Sequence, residues 1–157
     1  MENLSIYISK EEYESLLKSI VFMGTIYGLM GDFVDKKYKK ESSIVGQLED
    51  KLCSFSSQFG LSSITEEFEG RKVLKMESSW YQKVTDDMDK YEEYITYNNL
   101  SNKLAWRDFE REYSLKEIKK MVTKNSGYLG PELYKYEEKY WKEFDEHEYS
   151  RLEIKKD

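Results

Sequence analysis

Residue types that carry most enzyme chemistry are scarce in this chain. A single histidine, His147, and a single cysteine, Cys53, stand among 157 residues. A two-histidine zinc site, a His-Glu-x-x-His protease and a di-iron bundle with two Glu-x-x-His motifs each need at least two histidines, so the sequence rules them out. Glu143 and His147 are four apart on one helical face and supply two ligands at most; the bland reading is a histidine favoured near a helix carbonyl end. Cys53 has no neighbouring histidine to take its proton and reads as a small buried apolar side chain. Asp86-Asp-Met-Asp89 has the acid density of a calcium loop without its sixth-position glycine or closing glutamate. It reads instead as the acid-rich first turn of a helix. No Gly-x-Ser-x-Gly elbow, phosphate loop or Gly-x-Gly-x-x-Gly is present. Arg107-Asp108, flanked by Trp106 and Phe109, reads as an ion pair between helices, with a ligand site as the alternative. No cofactor and no metal are expected.

The elements that would position these residues follow from hydrophobic spacing. Ile20 to Val34 is the longest apolar run, with apolar side chains on all sides at helical spacing. A helix hydrophobic all round belongs in an interior, so this stretch is expected to be the buried central helix. Ser9 and Glu12 form a capping box that starts it. Gly24 and Gly28, four apart, suit a close helix approach, inside one subunit or at a dimer seam. Ser42 or Ser43 is expected to cap a second helix, with Val45, Leu48, Leu52, Phe55 and Phe59 inward and Gly60 as its stop. Glu69-Gly70 can turn a hairpin between Thr65–Phe68 and Arg71–Leu74, unless residues 61–76 form an ordered loop.

From Ser78 onward helical spacing returns through Trp80, Val84, Met88, Leu104 and Phe109, with Asn98-Asn99 as a weak point that would kink the helix or divide it in two. Ser114 and Glu117 make a second capping box. Residues 125–131 read as a loop, and Pro131 suits the first turn of a last helix carrying Leu133, Tyr136, Tyr140, Phe144 and His147. Leu4–Ile8 and Leu152–Ile154 alternate as short strands that would pair and tie the termini. The fold class expected is mainly α: a single domain over 1–157, a bundle of about five helices with a small two-stranded ladder from the chain termini.

Composition narrows the setting. With 31 acidic against 25 basic residues the net charge is −6, which opposes binding to a phosphate backbone. Lys36, Lys37, Lys39 and Lys40 concentrate positive charge and read as a solvated end of the first helix, where lysines favour the dipole, with an anion contact as the alternative. The lone cysteine fits a reducing compartment. Met1-Glu-Asn-Leu lacks a basic leader, and the apolar run is shorter than the ~20 residues a bilayer crossing needs. A cytoplasmic protein without membrane contact is expected.

Three stretches, 8–17 (Ile-Ser-Lys-Glu-Glu-Tyr-Glu-Ser-Leu-Leu), 100–109 (Leu-Ser-Asn-Lys-Leu-Ala-Trp-Arg-Asp-Phe) and 140–154 (Tyr-Trp-Lys-Glu-Phe-Asp-Glu-His-Glu-Tyr-Ser-Arg-Leu-Glu-Ile), resemble a group of short bacterial proteins of unassigned function. The resemblance implies a compact helical domain and no particular activity. That group usually has a glycine where this chain has Glu148 or Tyr149.

The functional expectation is a non-enzymatic protein that binds another protein, self-association included. Tyr and Trp anchor interfaces, and the aromatic edge formed by Tyr128, Leu129, Tyr134 and Trp141 is the candidate partner surface. A homodimer is one such outcome. The alternatives are a small enzyme using carboxylates and tyrosine, and an acidic inhibitor or nucleic-acid mimic built on the carboxylates of 86–93 and 137–148. Nucleic-acid binding is not expected.

Overall fold

The computed structural model of the protein describes residues 6–153. Among these residues it is mainly α, with five α-helices and one two-stranded antiparallel sheet. Contacts gather into two compact units, one ending at Asp89 and one starting at Lys90, and each is taken by itself below.

In the first unit, α1 (Lys10–Phe33) begins with the expected capping box. The Glu12 N–H donates to Ser9 Oγ at 3.2 Å, and the Ser9 N–H donates to the Glu12 carboxylate at 2.7 Å. Two of the four free N–H groups of the first turn are thereby satisfied. A short turn leads into α2 (Tyr38–Phe55), followed by two 3-10 turns at Ser56–Phe59 and Ser62–Ile64. Strands β1 (Thr65–Phe68) and β2 (Arg71–Leu74) form the hairpin in the expected register, Phe68 opposite Arg71. Its turn residues Glu69 and Gly70 both have positive φ, 48° and 75°. That is the twist a two-residue hairpin turn requires, and glycine takes the second position without strain. The first turns of α3 (Ser79–Glu112) complete the unit.

Its core is Tyr13, Leu17, Val21, Cys53, Leu61, Ile64, Leu74, Trp80 and Val84, with Phe59 stacked on Tyr13 at 4.1 Å. Polar ends of the aromatic residues are satisfied: Tyr13 donates to the Leu52 carbonyl at 2.6 Å and Trp80 Nε1 to Glu14 at 3.0 Å. Every α1 residue in this core lies at or before Val21. The expectation that Ile20–Val34 forms a buried central helix is therefore wrong. Only Val21 and Gly31 of that run are buried, whereas Met23, Ile26, Leu29, Phe33 and Val34 are exposed. The physical reason is one of supply: the hairpin, the 3-10 turns and α3 all pack at the N-terminal half of α1, which leaves α2 to cover the other half on one side.

The start of α2 also differs from expectation. It begins at Tyr38, before Ser42, because Asp35 Oδ1 accepts the Lys37 N–H at 2.9 Å and the Asp35 carbonyl accepts that of Tyr38 at 3.1 Å. Lys39 and Lys40 consequently lie in the first turn of α2 rather than beyond the end of α1. Here Gly31 is the close-approach glycine: an added Cβ would meet Lys39 Cγ at 3.0 Å and its backbone N at 3.2 Å. Gly24 would make ordinary contact with Val45, and Gly28 would meet nothing, so the expected Gly24–Gly28 seam is not the crossing point.

The second unit holds the rest of α3, α4 (Leu115–Lys124) and α5 (Gly130–His147). Asn98-Asn99 does not interrupt α3, which runs unbroken for 34 residues. Asp86–Asp89 lies inside that helix and not in its first turn, because the helix opens at Ser79, with Ser78 Oγ accepting the Tyr81 N–H at 3.1 Å. The Ser114–Glu117 capping box opens α4 as expected, and Pro131 lies in the first turn of α5. Ala105, Phe109, Ile118, Leu129 and Leu133 form the core, and Phe109 meets the Tyr136 ring edge-on at 5.4 Å. Tyr97 stacks on Phe144 at 5.4 Å.

Of the expected terminal ladder, Ile6–Ile8 and Leu152–Glu153 carry no strand, and residues 4, 5 and 154 lie outside the described residues. The observed sheet is the 65–74 hairpin.

Candidate interaction surfaces

α1 has two apolar faces. Tyr13, Leu17 and Val21 point into the core, while Leu16, Met23, Ile26, Leu29 and Phe33 stay accessible, from 36% at Met23 to 82% at Phe33. Leu16, Met23, Ile26, Met30 and Phe33, with Ser19 between the first two, follow a three–four spacing. That repeat puts all six on one stripe of the helix, the pattern of a seam between two helices. Apolar surface of this extent on one helix is what interaction sites leave uncovered. Taken whole, α1 is 24 residues long and, by length and composition alone, long and apolar enough to cross a membrane. Its charge-free part, Ser19–Gly31, covers only about 20 Å at the helical rise, against a hydrocarbon core of about 30 Å. The opposite face meets polar side chains of α2, since Lys39 lies against Gly31 and Glu49 near Gly24.

In the second unit, three of the four residues expected at the partner surface come together. Tyr128, Leu129 and Tyr134 line a groove of about 390 Å³ with Trp106, Val122 and Leu133. Asn102 Nδ2 donates to Glu137 at 2.7 Å on its wall. The Tyr128 ring lies directly across Gly130, where any Cβ would collide with it. Trp141 lines no part of this groove and packs instead against Tyr94, centroids 5.6 Å apart. Trp106, Asn102 and Glu137 were not assigned to this surface from the sequence; the helical repeat of 102 and 106 on α3 was the available signal.

The charged candidates are largely satisfied. Asp108 accepts from the Tyr140 hydroxyl and from Arg107 Nε at 3.1 Å and Nη2 at 2.9 Å. Lys139 and Arg111 approach the same carboxylate at 3.5 and 3.6 Å. The Tyr140 hydrogen bond first, and Arg107 after it, hold the Asp108 carboxyl below the usual carboxylate range. This is the helix-linking ion pair of the sequence reading, widened into a network. Tyr136 donates to Glu112 at 2.5 Å, and that bond raises its phenol. Among the lysines of 36–40, Lys37 pairs with Asp35 at 3.3 Å and Lys39 with Asp32 at 3.1 Å, which weakens the anion-contact reading. A second lysine group, Lys116, Lys119, Lys120 and Lys124, lines the outer face of α4 and makes no salt bridge among the described residues.

Cys53 is fully buried, and its thiol is pushed up to about 12 by burial, then by Glu49 and Asp50, so it is not a nucleophile at neutral pH. Glu143, the partner proposed for His147, receives Arg151 at 3.4 Å. Among the described residues no three His, Cys, Asp or Glu side chains cluster to hold a metal ion. One groove of about 580 Å³ in the first unit joins Glu49, Glu66 and Glu77 to Tyr81 and Met76, and burial raises Glu49.

No family model, curated protein or solved structure matches this chain.

Proposed function

We propose that this protein works without catalysis, as a cytosolic protein that binds another protein through the outer face of α1. The observation that supports this reading is the row Leu16, Met23, Ile26, Met30 and Phe33, apolar at seam spacing, with Met30 half-buried and the other four left exposed by their own unit. Fully burying an aliphatic or aromatic side chain contributes roughly 1.5–3 kcal/mol, so covering even part of this row offsets much of the entropy lost on association. The aromatic groove of the second unit is a further contact of the same kind. The carboxylate-enzyme alternative has less behind it. Beside its acids the Glu49 groove offers one hydroxyl, Tyr81, and no cationic group to stabilise developing negative charge.

The test compares the parent chain with an Ile26→Gln/Phe33→Gln variant as baits in native lysate. The variant is expected to melt like the parent yet lose whatever the parent retains. Equal recovery by both baits, or no retained protein with the parent, added chains of its own kind included, overturns the reading.

A further inference from the structure

The inference rests on the binding reading above and names its partner. We propose that α1 docks on α1 of a second copy, the two helices antiparallel, to give a two-fold dimer.

A two-fold interface demands a surface complementary to itself. The outer row of α1, half-buried at Met30 and otherwise exposed, has that property. Its members fall at 16, 19, 23, 26, 30 and 33, so the steps run three, four, three, four, three and read the same in either direction. Reversing one helix against another sets Leu16 opposite Phe33, Ser19 opposite Met30 and Met23 opposite Ile26. Each layer then combines side chains of different size or shape, which suits interdigitation. A parallel pair would instead set Phe33 against Phe33 and Ser19 against Ser19.

Charge selects the same arrangement. Glu11, Glu12 and Glu14 crowd the first turns of α1, while Lys36, Lys37, Lys39 and Lys40 follow its end. Antiparallel docking brings the acidic end of one copy to the basic end of the other and opposes the two helix dipoles; parallel docking stacks like on like. Lys36 and Lys40 enter no salt bridge among the described residues, and neither does the exposed Glu11, whose carboxylate accepts hydrogen bonds within its own turn, so charges of both signs are left to match across the two-fold axis. The glycines do not compete for this face, since Gly24 and Gly31 lie against α2. The row is about 25 Å long at the helical rise, a contact at the small end of specific interfaces, so the dimer should form with rising concentration and not at high dilution.

Sedimentation velocity on the full chain over a range up to millimolar tests the association. The expected result is a shift from the 18.9 kDa monomer toward twice that mass, weakened at least tenfold by Ile26→Gln/Phe33→Gln. Orientation is read separately. Ser19→Cys and Met30→Cys proteins are mixed and treated with a short thiol crosslinker. The mixed 19–30 product should exceed both the 19–19 and 30–30 products. A monomer at every concentration overturns the dimer, while the lysate comparison still decides whether α1 binds some other protein. A dimer whose homotypic crosslinks dominate overturns the antiparallel arrangement, and a dimer indifferent to the Ile26/Phe33 change overturns the assignment to α1.

Discussion

The two halves of α1 differ in what surrounds them, and the more apolar half is the less enclosed. From Tyr13 to Val21 the helix meets α2, a 3-10 turn, the hairpin and α3, and its inward side chains are almost fully enclosed. From Met23 to Phe33 it packs against α2 on one side, and Met23, Ile26, Leu29 and Phe33 remain exposed. Burial is thus decided by how many elements converge on a stretch rather than by how apolar the stretch is. An apolar helix with one neighbour has a face still to fill, and that surplus is the basis for assigning it a partner.

The largest effect expected from breaking this comparison comes from the enclosed half. Leu17→Ala should cost about 2–5 kcal/mol of unfolding free energy, because a fully buried leucine leaves a cavity when truncated. Ile26→Ala, in dilute solution, should cost well under half of that; equal losses in denaturant titration would erase the distinction between the halves. A smaller effect separates the glycines. Gly31→Ala forces its Cβ against Lys39 Cγ and backbone and should destabilise by about 1–3 kcal/mol. Gly28→Ala meets nothing and should stabilise by about 0.5–1 kcal/mol through helix propensity. Opposite signs in thermal melts are the expected outcome.

A further small effect contrasts the outer row of the first unit with the satisfied network of the second. The Asp108 carboxyl is held down by Tyr140 and then Arg107, so folding binds fewer protons than the unfolded chain near the unfolded value of about 3.9. Its contribution, about 1 kcal/mol after allowance for exposed partners, is fully present above that value and lost as pH falls through the lower folded one. Asp108→Asn should flatten this acid limb, and an unchanged limb would mean the network adds nothing. Glu49 has the opposite sign. Burial raises its carboxyl, so it costs stability as pH rises from the ordinary range through its folded value, and Glu49→Gln should gain stability at neutral pH.

Local signals carried much of the fold. Both serine capping boxes, the Glu69-Gly70 hairpin with its register, the Pro131 helix start and the α5 stripe were legible because each depends on neighbours within four residues. The end of α5 follows the same logic. Glu148 holds φ at 50°, a positive backbone angle that glycine adopts most easily, and the helix ends there. What the sequence did not reveal was non-local. The apolar run at 20–34 shows its hydrophobicity but not which elements arrive to cover it, and the start of α2 depended on a turn held by Asp35. At the candidate groove, Tyr128, Leu129 and Tyr134 were near one another in sequence and came together, whereas Trp141 was drawn to Tyr94 across the helix pair.

Side-chain footprinting of the dilute protein tests the two-faced character of α1 most directly. Met23, Ile26 and Phe33 should label readily while Leu17 and Val21 stay protected. Protection of Phe33 and Ile26 equal to that of Leu17 would show a closed interior along the whole helix and would contradict the assignment of its outer face to a partner.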